Sequence, residues 1–74
     1  MFNFTEEEMT GIISESEKLD ALREKFRREM QLVDEYPDME ERYTLMMEAK
    51  DRVSEQSEVL ARLVADCVRA HRGE

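Results

Sequence analysis

The sequence predicts an all-α fold, an antiparallel two-helix hairpin of coiled-coil type, and three observations lead there. Pro37 is the chain's one proline and its only strong helix breaker between Thr5 and Arg72. An N-cap signal precedes each of the two long segments it separates. Both segments carry apolar residues at alternating spacings of three and four, the period of a helix face.

Helix one opens at a capping box. Thr5 stands three residues before Glu8, so its hydroxyl can accept from the N3 amide while the Glu8 carboxylate reaches back to the N-cap amide. Phe4 and Met9 occupy the positions of a hydrophobic staple. Pro37 pushes Tyr36 out of the helical region, and Asp38 with Glu41 repeats the capping spacing after the break. The expected order is helix one over about residues 5–34, a turn over about 35–38 and helix two over about 39–72. At a rise of about 1.5 Å per residue these are rods of roughly 45 and 50 Å. Gly73 reads as the stop of the second.

Charge follows the same directions. Glu6, Glu7 and Glu8 lie in the first turn of helix one, Glu40 and Glu41 in that of helix two, and Arg69, His71 and Arg72 in the last turn, each complementing the helix dipole. In an antiparallel hairpin the acidic start of helix one falls beside Arg62, Arg69 and Arg72. The basic run Arg23 to Arg28 likewise falls beside the acidic start of helix two. Such exposed pairs contribute only about 0–1 kcal/mol each.

The stripes decide more. Helix one reads Met9, Ile12, Ser16, Leu19, Arg23, Phe26, Met30, Val33, a heptad seam with two polar interruptions, widened by Ile13 and Leu22. Helix two repeats Met39, Met46, Val53, Leu60 and Cys67 at sevenfold spacing, flanked by Tyr43, Ala49, Leu63, Val64 and Ala70. Leu45 and Val59 lie on one shoulder of that stripe, and Met47, Ala61 and Val68 on the other. One neighbouring helix cannot cover so wide a face, and a monomer that left it in water would expose a large apolar strip. Leu45, Met47, Val59, Leu63 and Val68 are therefore the expected partner-binding residues. The expected occupant is another protein, a second copy of the chain, or both, completing a helical bundle.

Composition narrows the function. The chain has 74 residues, 41% of them charged, with a net charge of −8. Such a balance disfavours direct nucleic-acid binding and anionic membrane surfaces. No apolar run approaches the length that spans a bilayer, and no basic segment followed by an apolar run marks a signal peptide. A single cysteine, Cys67, allows no internal disulfide and suits a reducing cytoplasm.

Chemistry-bearing motifs are absent from the pattern. Cys67 and His71 have the i, i+4 spacing of two metal ligands, yet no other histidine or cysteine exists to join them, where zinc takes about four ligands. Val68, not a glutamate, stands three before His71, so the di-iron Glu-x-x-His signature is missing. Ser14, Ser16, Ser54 and Ser57 lie within helices near acids, and the lone histidine, His71, has no evident partner to orient it as a base. No enzyme, cofactor or metal is expected.

Two function classes remain. The first is a non-enzymatic interaction protein, an adaptor, assembly factor, small chaperone or inhibitor, docking helix two on a partner. In layout the hairpin resembles the small helical-hairpin co-chaperones of type III secretion needle subunits: helix one ends in the run Arg27-Arg28-Glu29-Met30, and a longer second helix carries Tyr43 in its first turns. The second class is an acidic mimic of nucleic acid, similar in size and charge to viral inhibitors of host defence, blocking a basic groove. Its rows would be Glu6, Glu7, Glu8, Glu15 and Glu17 with Asp38, Glu40 and Glu41, set at opposite ends of the rod.

Overall fold

The structure, a computed structural model, describes residues 3–72 and contains two helices, α1 (Glu6–Glu35) and α2 (Glu40–Arg72), packed antiparallel along their lengths. The hairpin is a rod of 56 × 17 × 15 Å. Gly73 lies outside the described residues.

The α1 capping box forms as the sequence reading expects. Glu8 N donates to Thr5 Oγ1 at 3.1 Å and Thr5 N donates to Glu8 Oε1 at 2.8 Å. Phe4 sets its ring edge-on against His71, with centroids 5.8 Å apart, while Met9 is exposed. At the far end Tyr36 leaves the helix at φ −127°, ψ 64°, its amide still donating to Leu32 O. Pro37 and Asp38 then form the turn, closed by Met39 N donating to Tyr36 O at 3.2 Å. That turn displaces the start of α2 by one residue. Met39, not Asp38, takes the cap position, its carbonyl accepting from Arg42 N at 3.0 Å, and no Asp38–Glu41 box occurs among the hydrogen bonds of the described residues.

The seam differs from the expected one in one row. Leu19, Ala49 and Cys67 are the buried apolar residues. On α1 the row Ile12, Leu19, Phe26, Val33 faces α2 as expected. Its companion row is Glu8, Glu15, Leu22, Glu29, half-buried, whereas Met9, Arg23 and Met30 are exposed. The helix is rolled by part of a turn toward Glu8, Glu15 and Glu29, and α2 offers partners to the first two. Gln56 Nε2 donates to Glu15 O at 3.0 Å and to Glu15 Oε2 at 2.5 Å, and His71 Nε2 donates to Glu8 Oε1 at 2.7 Å. On α2 the sevenfold row from Met46 to Cys67 forms the seam with Arg42, Ala49, Gln56 and Leu63 as its other row, while Met39 is exposed.

Charge pairing across the hairpin is also sparser than expected. Lys18–Glu15, Arg27–Glu24 and Arg69–Asp66 all join residues three apart on one helix. Among the described residues His71–Glu8 is the ion pair that crosses between helices. Long exposed side chains find a carboxylate one turn away at lower entropic cost than one on the facing helix.

Candidate interaction surface

Three places gather side chains that could act on something else. The first is the open end of the hairpin, where Glu8, Cys67, His71 and Phe4 meet. Two hydrogen bonds, first from His71 and then from the Thr5 amide, hold the Glu8 carboxyl far below its ordinary range, at about 2. Burial, followed by the hydrogen bond to Glu8, pushes the Cys67 thiol up. A thiol kept protonated is a poor nucleophile and a poor metal ligand. Among the described residues no group of three His, Cys, Asp or Glu is arranged to hold a metal ion. The sequence reading leaves His71 without an orienting partner; the fold supplies Glu8, from the opposite end of the chain. The cluster works as a clasp.

The second place is a concavity of about 540 Å³ beside the turn, lined by Val33, Pro37, Met39, Tyr43 and Thr44. It is open, and Glu40 completes its lining. Arg42 lies 6.0 Å from the Tyr36 ring centroid at the same end.

The third is the pair of broad faces left by a two-helix rod. Lys25 and Arg52, each preceding a seam residue, line one shallow concavity together with Glu29, Leu45 and Ala49. Residues that precede the seam therefore share one face, and by the handedness of the helix those that follow it share the other. This divides the five expected partner-binding residues. Leu45 and Val59, 40% and 48% exposed, fall on the first face, with Arg52 midway between them. Met47 and Val68, half-buried, fall on the second. Leu63 belongs to neither, since its Cδ2 would stand 3.8 Å from a Cβ built on Gly11 and so covers α1.

On the second face α2 carries a further heptad stripe. Tyr43 and Met47 stand at one end, Val64 and Val68 at the other, and the small residues Ser54, Ser57 and Ala61 between them. Each is separated from the next by three or four residues once Lys50 is included. Lys50 is the one charged residue in the stripe. Tyr43 is 56% exposed, and Ile13 of α1, on the same face, is 58% exposed. Sequence reading finds Met47, Ala61 and Val68 here but passes over the serines, whose polarity hides a place where another helix can approach closely.

Comparison with protein-family models, curated proteins and solved structures finds no match. The layout likeness to needle-subunit co-chaperones therefore carries no assignment. No helix among the described residues is long and apolar enough to cross a membrane.

Proposed function

We propose that this chain is a non-enzymatic protein–protein interaction module, of the adaptor, assembly-factor, small-chaperone or inhibitor kind, that docks α2 on a partner helix. The single observation that carries the reading is the second heptad stripe of α2, which α1 covers only in part: Tyr43, Lys50, Ser54 and Ala61 are exposed, and Met47, Ser57, Val64 and Val68 are half-buried. A helix needs one seam to hold a hairpin; α2 has two. The inert, buried thiol of Cys67 is in keeping with a cytoplasmic protein.

The acidic-mimic alternative is weakened by what the glutamates do. Glu8 and Glu15 accept hydrogen bonds from His71 and Gln56 inside the hairpin, which shortens the acidic row available to a basic groove.

The test is affinity capture from the producing cell with high-salt washes, using wild type, Ala61→Arg and Val59→Asp in parallel. An apolar interface keeps its partner in high salt. The expected result is capture by wild type and Val59→Asp and loss with Ala61→Arg. Binding that disappears in salt yet tolerates Ala61→Arg would overturn the reading in favour of the mimic.

A further inference from the structure

We infer that the occupant of the second α2 stripe is a second copy of this chain, packed with its α2 antiparallel about a two-fold axis between Ser54 and Ser57. The inference rests on the interaction reading above and names its partner.

Two independent observations support it. The stripe is apolar at matching distances from its centre: Tyr43 lies as far before the midpoint of Ser54 and Ser57 as Val68 lies after it, and Met47 as far before it as Val64 after. Reversing one copy on another sets Tyr43 against Val68, Met47 against Val64 and Ser54 against Ser57. An isologous contact requires this self-complementarity, because each residue must meet the partner of its own partner. Small residues fall at the centre, where two helices approach closest. Lys50 lands beside Ala61 of the second copy and one turn from its Glu58, so the stripe's one charge meets an acid.

The second observation is area. The chain exposes 5973 Å², whereas a folded monomer of this mass exposes about 4,800 Å². The excess of roughly 1,200 Å² is more than the about 800 Å² per partner that a standard stable interface buries. A rod with one internal face has this surplus, and pairing two rods into a four-helix bundle removes it.

The experiment is sedimentation equilibrium of the purified full chain across micromolar concentrations, with Ser54→Glu, Ala61→Arg and Val59→Asp alongside and helicity followed by circular dichroism. Positions 54 and 61 are exposed, so neither substitution disturbs the hairpin itself. Ser54→Glu brings two new acids together across the axis, and Ala61→Arg sets a second cation against Lys50. Wild type and Val59→Asp are expected at twice the chain mass, and the two stripe variants at the chain mass with helicity kept. A wild type that stays monomeric, or a dimer indifferent to both stripe variants, overturns the inference. If the purified chain is monomeric while cellular capture remains sensitive to Ala61→Arg, the interaction reading stands and only the second copy is lost.

Discussion

Glu8 serves two structures at once. Its Oε1 accepts from the Thr5 amide, which starts α1, and from His71 Nε2, which ties down the last turn of α2. Because folding lowers the Glu8 carboxyl from 4.5 to about 2, its contribution is present in full above the unfolded value and is lost as pH falls through the folded one. The melting temperature of wild type should therefore exceed that of Glu8→Gln at neutral pH, and the gap should narrow as the pH is lowered from 4.5 toward 2. A gap that stays constant over that window would remove Glu8 as the clasp. Glu29 is the opposite case. Its Oε2 is shut from solvent and accepts no hydrogen bond among the described residues, beside a concavity lined by Leu45 and Ala49. An unmet buried acceptor costs about 1–3 kcal/mol, so Glu29→Leu should stabilise the hairpin by about 1–2 kcal/mol in urea melts. These glutamates mark the limit of sequence reading at this scale. Met9 and Met30 look like seam residues because they are apolar, and nothing local shows that Glu8 and Glu15 face donors on a strand of chain far away in sequence.

Each helix is written clearly at its ends and less clearly around its circumference. The Thr5 capping box and the Pro37 break are local signals, and they set the bounds of α1 to within a residue of those observed. Thr5→Ala removes the side-chain half of the box and should cost about 1 kcal/mol, read as a lower melting temperature. Gly11 sits inside α1, where glycine is unfavourable by about 0.5–1 kcal/mol relative to alanine. A Cβ there meets Leu63 Cδ2 at 3.8 Å, an ordinary contact. Gly11→Ala should accordingly stabilise the protein by about 0.5–1 kcal/mol, and a loss of stability in the same melts would mean the helices approach more closely at this point than they do here. The same pair explains why Leu63 reads as surplus in the sequence. A glycine leaves no side-chain signal of the contact it permits. On α2 the sevenfold row from Met46 to Cys67 is legible because it is uniformly apolar; the second stripe is legible only at its ends, where Met47 and Val68 stand out from the serines between them.

The whole rod has a thin interior and a large charge. Few apolar side chains are buried, so most of the helicity depends on the two helices staying paired rather than on either alone. Against that pairing works a net charge of −8, spread over a body only 17 × 15 Å across. A net excess of one sign on so slender a body repels itself and opposes compaction. The attractive pairs do little to offset it, since three of the four described here lie within a single helix and hold nothing together across the seam. Salt screens both effects, with a Debye length of about 10 Å at 0.1 M, close to the distance between packed helices. What it weakens among exposed i, i+3 pairs contributes little to begin with, while the repulsion it relieves acts over every acidic turn. The melting temperature should therefore rise as sodium chloride is added from low ionic strength, and the same salt-dependent rise should be seen in Arg27→Ala, which removes a pair and deepens the acidic excess by one charge. A fall with salt would mean that cross-helix attraction, not apolar packing, holds the hairpin closed. The same balance bears on the proposed pairing of two copies: the α2 stripe brings Lys50 to within a turn of Glu58 of the second copy, a small attraction beside the repulsion of two chains of net charge −8, so added salt should strengthen rather than dissolve the pairing.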